Sequence, residues 1–120
     1  MFYEDSKRNI WIITTAGILV KPVGKKDIQD THIVLKDITG IGEGKDNTLW
    51  ISTKKQGVYT AVIPPQLKFE KSSLKNLTSE TNGLMSNNIT AICVDDKGLI
   101  WLGSEEGSIF TYDSQKKKVT

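Results

Sequence analysis

The sequence predicts an all-β fold assembled from four-stranded antiparallel meanders, and three observations predict it. The first is an internal repeat. Aligned on their tryptophans, three segments read Asn-Ile-Trp-Ile-Ile-Thr (Asn9 to Thr14), Thr-Leu-Trp-Ile-Ser-Thr (Thr48 to Thr53) and Leu-Ile-Trp-Leu-Gly-Ser (Leu99 to Ser104). Trp11, Trp50 and Trp101 each stand between aliphatic residues, and three places on each is followed by a hydroxyl, Thr14, Thr53 or Ser104. A glycine (Gly17, Gly57, Gly107) and a further apolar run close each copy. The second observation is punctuation: glycine, asparagine and aspartate interrupt β-branched and aromatic runs at short intervals, the pattern of short strands joined by turns. The third is spacing. The tryptophans lie 39 and 51 residues apart, in the range of propeller blades joined by loops of variable length.

The third copy gives the clearest order of elements. Asn88 to Val94 reads as a strand, Asp95-Asp96-Lys97-Gly98 as a tight turn, and Leu99 to Ser104 as a second strand. Glu105-Glu106-Gly107 then turns the chain into a third strand, Ser108 to Tyr112. Aspartate bonds its own backbone two residues on, and glycine takes the positive φ that a side chain resists. Gly44-Lys45-Asp46-Asn47 and Asp5-Ser6-Lys7-Arg8-Asn9 fill the same turn in the other copies, without the glycine in register. Fourth strands are expected at Thr31 to Lys36 and at Leu67 to Lys71, in the segments before the next copy. Pro64-Pro65 ends the strand before it, because proline donates nothing to a ladder. The polar stretch Lys68 to Asn82 reads as an inter-blade loop with one short strand.

Sheets this small cannot bury two faces alone, and radial stacking of twisted sheets solves the problem as a β-propeller. Each tryptophan then wedges between neighbouring blades, removing ~150–250 Å² from water, worth up to roughly 4–6 kcal/mol. The hydroxyl three places later bonds the backbone at the strand end. Because propellers close with four or more blades, the sequence reads as an incomplete propeller of about two and a half to three blades. Residues 1–30 form a partial blade, 31–66 a second blade, and 67–120 a loop and the third blade. Met1 to Glu4 reads as the end of a strand, and Lys117 to Thr120 as the first strand of a following blade. A leading methionine that runs straight into mid-repeat sequence suggests a piece of a longer protein. Two open apolar faces imply a partner, most simply a second copy that completes a six-bladed ring.

The 120 residues fit one small domain or a piece of a larger one. Sixteen basic residues against 14 acidic ones leave a net charge of +2, too balanced for a nucleic-acid face. No stretch has the ~18 consecutive apolar residues of a membrane span, and Met1 to Ser6 has no signal-peptide character. Direct membrane contact is therefore not expected. A single cysteine, Cys93, excludes an internal disulfide framework. Within the apolar run Thr90 to Val94 it reads as a buried free thiol.

One stretch carries a resemblance. Asn82-Gly83-Leu84-Met85-Ser86-Asn87-Asn88-Ile89-Thr90-Ala91-Ile92 is followed by Asp95-Asp96-Lys97-Gly98-Leu99-Ile100-Trp101-Leu102-Gly103-Ser104 and by Glu106 to Asp113. Together these resemble the two-component regulator propeller repeat, with its Gly-Leu-x-Ser-Asn opening, Asp-x-x-Gly turn and Leu-Trp-Ile-Gly-Thr strand. The second copy keeps Leu49 to Thr53 and Gly57-Val58-Tyr59. The first keeps Glu4-Asp5-Ser6, Ile10-Trp11-Ile12 and Gly17-Ile18-Leu19. The resemblance implies a propeller in the periplasmic sensor region of a membrane-anchored hybrid histidine kinase, with the remaining blades of that parent as partners and an oligosaccharide as ligand. It implies no ligand-binding residue, because the repeat pattern is structural.

Other candidates for chemistry reduce to structural readings. His32, the single histidine, lacks convergent partners for catalysis or metal binding and reads as solvated or packing. Gly40-Ile41-Gly42-Glu43-Gly44 looks like a phosphate loop, but strand residues follow it rather than a helix, so it reads as a flexible approach to a turn. Asp95 and Asp96 lack the alternating ligands of a calcium loop and read as turn residues. Lys116-Lys117-Lys118 reads as a solvated charge run. The sequence thus implies no catalytic residue, metal or cofactor. Inter-strand loops such as Lys54-Lys55-Gln56 and Glu105-Glu106 are where a ligand would touch the blades. The repeat core is assigned to Trp11, Trp50, Trp101, Thr14, Thr53, Ser104, Gly17, Gly57 and Gly107.

Overall fold

Each tryptophan strand seeds a sheet, because a tight turn on either side folds its neighbours back against it. In the computed structural model, which describes residues 1–120, this happens three times. The first sheet holds β1 (Phe2–Glu4), β2 (Ile10–Thr14), β3 (Gly17–Lys21) and β4 (Gln29–Ile33). The second holds β5 (Ile38–Gly44), β6 (Thr48–Thr53), β7 (Val58–Val62) and β8 (Lys75–Leu77). The third holds β9 (Ile89–Val94), β10 (Ile100–Ser104), β11 (Ile109–Asp113) and β12 (Lys118–Val119). All pairings are antiparallel, and within every sheet strand order follows chain order. The tryptophans occupy one register: Trp11 faces Val20, Trp50 faces Thr60 and Trp101 faces Thr111 across their hairpins. The chain is three propeller blades.

The two turns flanking each tryptophan strand have fixed chemistry. Three residues before the tryptophan the backbone is left-handed in every blade, at Arg8 (φ 71°), Asn47 (φ 58°) and Gly98 (φ 83°). Only the third copy spends glycine there. After the tryptophan, the Thr14 and Thr53 hydroxyls donate to the carbonyls of Gly17 and Gly57 at 2.9 and 2.8 Å. They also accept from backbone amides of the same turns, while Ser104 Oγ accepts from Ser108 N at 3.1 Å. Gly57 is required twice over: its φ is 72°, and a Cβ there would stand 2.2 Å from the Leu77 carbonyl oxygen of the outer strand.

Two apolar layers hold the blades together. Trp11, Ile18, Val20 and Ile33 of the first blade pack on Ile41, Leu49, Ile51 and Ala61 of the second. Trp50, Val58 and Leu77 of the second pack on Ile89, Ile100, Leu102, Phe110 and Tyr112 of the third. Residues flanking a tryptophan therefore face the preceding blade, and the tryptophan itself faces the following one, as period-2 alternation requires.

Several elements differ from the sequence reading. The fourth strand of the second blade is Lys75–Leu77, not Leu67 to Lys71. Leu67 and Phe69 are buried all the same, as irregular chain that plugs the first seam, with Phe69 N donating to the Thr31 carbonyl at 2.8 Å. Their apolarity serves a lid over the core rather than a ladder. Residues Lys118–Val119 pair with β11 as the outer strand of the third blade, so they do not begin another. The first blade has four strands, although β1 is three residues long against seven in β5. A division at residue 30 falls inside β4, and one at residue 66 falls between β7 and β8. The loop from Lys68 to Asn82 carries a turn of 3-10 helix (Lys71–Ser73), one strand and a short helix, α1 (Ser79–Asn82).

The Gly40 to Gly44 segment is a mostly buried strand rather than a flexible approach to a turn. A Cβ on Gly40 would lie 2.8 Å from Ile92 Cγ2, and one on Gly42 would lie 3.0 Å from Val94 Cγ2. Alternate glycines give β5 a flat face on which β9 of the next blade lies close.

Candidate functional site

The residues with the most built-up environments lie at the seams between blades. In the first blade Asp5, buried in the turn before β2, gathers four donors. Its Oδ1 accepts from Lys7 N (2.9 Å) and Asn9 N (2.8 Å), and its Oδ2 from Asn9 Nδ2 (3.0 Å) and Trp11 Nε1 (2.9 Å). The turn thus clasps the indole six residues on and satisfies its N–H inside the core. In the third blade Asp95 repeats the arrangement, accepting from Lys97 N, Leu99 N and Trp101 Nε1 at 2.9, 2.9 and 2.8 Å. The Trp101 indole, with the two backbone amides, holds the Asp95 carboxyl below the ordinary aspartate range. The second blade has Gly44 at this position, where a Cβ would stand 2.5 Å from Trp50 Nε1. The Thr48 hydroxyl accepts from that indole instead, at 3.3 Å. Asp95 both shapes its turn and holds the indole, and the aspartate-to-tryptophan spacing of six in two copies is the sequence signal of that clasp.

Polar contacts cross each seam beside the apolar layer. Glu43 of β5 accepts from Ser6 N and Ser6 Oγ, both at 3.0 Å, and its own amide donates to Tyr3 Oη at 3.1 Å. Burial pushes the Tyr3 phenol above its ordinary pKa. At the second seam Thr39 Oγ1 donates to the Ile89 carbonyl at 2.8 Å. The Gly83 to Asn88 segment explains its composition here. Leu84 is buried in the seam, Ser86 Oγ accepts from Asn88 N (2.9 Å), Asn87 Oδ1 accepts from Ser79 N (2.7 Å), and the Asn87 carbonyl accepts from Gly57 N (2.9 Å). This segment fastens the third blade to the turn of the second.

The two loops singled out from sequence, Lys54-Lys55-Gln56 and Glu105-Glu106, are the exposed hairpin turns β6–β7 and β10–β11. Glu106 Oε2 accepts from Asn88 Nδ2 at 3.0 Å. Hydrogen bonds from the Ser86 hydroxyl and the Asn88 amide hold its carboxyl below the usual glutamate range. Grooves open elsewhere along the seams. One of 410 Å³ between the second and third blades is lined by Trp50, Thr60, Lys75, Asn76, Asn82 and Tyr112, with the Trp50 and Tyr112 rings 5.8 Å apart. Another, of 350 Å³ between the first and second, includes Asn9, Lys25, Gln29 and Pro65. His32 is exposed at φ 67° in the irregular part of the β3–β4 pairing, its amide donating to Asp30 Oδ1 at 2.8 Å.

Two of the sequence assignments change on the outer face of the third blade. Trp11 and Trp50 are 0% and 4% exposed, but Trp101 is 43% exposed. Cys93 is exposed as well. Both point away from the second blade, since the face towards it is taken by Ile100 and Leu102, and no further sheet lies against them. With Ala91, Gly103 and Ile109 they line an apolar depression of 220 Å³.

Residues 83–106 match the family model described as the two component regulator propeller. The chain carries a two component regulator propeller repeat. Its three-blade fold superposes on solved propeller ectodomains of B. thetaiotaomicron. One is described as the extracellular domain of a hybrid two component system, BT3049, at TM-score 0.73 and 22% identity over 99% of this chain and 16% of that one. Two structures of the extracellular domain of BT4673, described once as a one component and once as a hybrid two component system, give TM-scores of 0.80 and 0.60. Identities are 22% and 17%, over 99% of this chain and 17% and 20% of theirs. The chain therefore spans a fifth or less of the structures it resembles. No curated protein matches it. No helix is long and apolar enough to cross a membrane.

Proposed function

We infer that these blades belong to the ligand-sensing propeller of a two-component sensor, placed outside the cytoplasmic membrane, in the periplasm, and serving a histidine kinase anchored in that membrane. The repeat at residues 83–106 carries the reading, because it combines the regulator-propeller pattern with a full structural role in fastening blade to blade. The extracellular two component systems that share the fold support it. The blades themselves are non-catalytic in this reading. They hold loops and seams in fixed relation, and a ligand bound across them favours one relative placement of two protomers, shifting the kinase's equilibrium by its difference in affinity for the two placements.

An oligosaccharide is the proposed ligand class, and the groove over Trp50 and Tyr112 is the favoured contact on this chain. Its rim offers the Asn82 amide, the Thr60 hydroxyl and the Lys75 ammonium above the largely buried Trp50 and Tyr112 rings, polar groups that suit a polyhydroxylated ring. Calorimetric titration of the whole ectodomain with a panel of oligosaccharides tests the reading. Saturable binding that weakens at least tenfold in the Lys75→Ala variant is expected. Absence of binding across the panel, or binding indifferent to that change, would favour a propeller that serves only as a protein-interaction scaffold.

A further inference from the structure

One end of the blade stack is furnished for negative charge. In each meander the first and third turns lie at the same end, since strand order follows chain order. Stacking brings these turns together, and three furrows open from them along the seams. The furrow of 350 Å³ at the first seam has Lys7 and Lys25 on its walls. At the second seam the groove over Trp50 and Tyr112 carries Lys75 and Lys117, and a neighbouring one of 190 Å³ carries Lys45 and Lys97. Ser114 lines both, so the two adjoin, and four lysines from two blades follow one seam. All six lysines are exposed. Two carboxylates line the furrows, and both already accept backbone amides: Asp5 from Lys7 and Asn9, Asp113 from Gln115 and Lys116. Asp27, Asp46 and Asp96 belong to the same turns but line none of the three furrows. The opposite end has no such surplus, setting Lys36, Lys54 and Lys55 against Asp37, Glu80, Glu105 and Glu106.

Lys45 is held in place by both blades of its seam. The Thr48 hydroxyl donates to its carbonyl at 2.7 Å. Its stem crosses Gly98 of the third blade, where a Cβ would stand 2.5 Å from Lys45 Cε and 2.7 Å from Cδ. Glycine at that position admits the lysine as well as the left-handed backbone. The stem is packed while the ammonium stays at the mouth of the furrow. We propose that an oligosaccharide bearing a carboxylate or sulfate on successive repeats lies across these turns, its charges on Lys45, Lys97 and Lys117. This narrows the ligand class of the sensing propeller and rests on that reading. The need for a chain rather than one acidic sugar follows from magnitude. A single exposed ion pair contributes little, so one charged ring is held weakly. A chain charged at every repeat engages several ammonium groups at once, each contact raising the effective concentration for the next. The same field draws such a chain to the surface from a distance.

Calorimetric titration of the whole ectodomain with three octasaccharides tests it: neutral maltooctaose, a carboxylated oligogalacturonate and a sulfated carrageenan fragment. At least one anionic chain should bind tenfold or more tightly than the neutral one. Its affinity should fall at least tenfold between about 0.05 and about 0.5 M sodium chloride, because exposed charge contacts are screened. The tighter of the two anionic chains identifies the charged group. Lys45→Gln and Lys117→Gln should each weaken it about threefold, and together about tenfold, as expected for exposed pairs. Lys36→Gln, at the opposite end, should leave it unchanged. A neutral chain bound as tightly as the anionic ones overturns the proposal and leaves the sensing reading standing. Binding by none of the three overturns it too, and the sensing reading then falls only if the wider panel also fails to bind. A DNA duplex bound as tightly as the anionic sugars means unselective attraction. Loss in Lys54→Gln but not in Lys45→Gln places the ligand at the opposite end. Either of these last results also overturns the proposal.

Discussion

Asp5 with Trp11 and Asp95 with Trp101 make the same clasp in different surroundings. Both aspartates accept the indole N–H within 0.1 Å of one another in length, and both take two backbone amides of their own turn. Yet Trp11 is fully buried and Trp101 is nearly half exposed. The clasp is therefore a property of the hairpin, formed by residues within six positions of one another, whereas burial is conferred by the neighbouring sheet. Local chemistry aims the indole, and the next blade decides how much that aim is worth.

The sharpest way to break this comparison is to remove the rings. Trp11→Ala should cost about 3–5 kcal/mol, in the range of large aromatic truncations in cores. Trp101→Ala should cost about 1 kcal/mol or less. Urea denaturation followed by circular dichroism measures both, and equal losses would mean that the neighbouring blade adds nothing. Removing the clasp comes next. Asp5→Ala leaves the indole and the Asn9 amide without an acceptor in a buried site, for about 2–4 kcal/mol. Asp95→Ala should move the same midpoint by clearly less, since water can replace the carboxylate.

Glycines on covered and open faces sharpen the contrast further. Gly40→Ala drives a methyl against Ile92 and should cost about 1–3 kcal/mol. At Gly103, on the open face, the nearest atom to a new Cβ is 3.7 Å away, so Gly103→Ala should leave the melting temperature nearly unchanged. The turn position shared by Arg8, Asn47 and Gly98 supplies a change of the opposite sign. Arg8 is held at φ 71°, so Arg8→Gly should stabilise by about 1 kcal/mol, read as a rise in melting temperature.

The smallest effect is a pH dependence. The Asp95 pKa is depressed in the folded chain, so its contribution is complete above the ordinary unfolded value, about 3.9, and fades as pH falls through the lower folded value. Wild-type stability should therefore lose a component below about pH 4 that the Asp95→Asn variant lacks. Coincident acid profiles of the two proteins would remove the clasp from the account.

Features set by short spacing were legible in the sequence: the strands around each tryptophan, the hydroxyl that closes each hairpin, and the left-handed glycines. What escaped depended on which sheet lies next to which. Leu67 and Phe69 look like strand residues because both are apolar, but they plug a seam from irregular chain. The strand that pairs there, Lys75-Asn76-Leu77, has two polar residues, since only Leu77 turns inward. Gly40 and Gly42 look like a loosened chain, and their reason, the approach of β9, lies some fifty residues away. Cys93 and Trp101 carry apolar flanks that suit a core, and only the arrangement of sheets places them on an outer face. The site was the least legible part. The groove over Trp50 and Tyr112 joins residues from two blades, which no local pattern connects.

Because every sheet is drawn from one uninterrupted stretch of chain, with no strand borrowed from a neighbour, each blade is separable at the level of the gene. Duplication or deletion between residues 34 and 37, or between 78 and 88, adds or removes a whole unit without orphaning a strand. A module of this kind can be lengthened by simple copying, each newcomer inheriting both the surface that receives and the surface that is received.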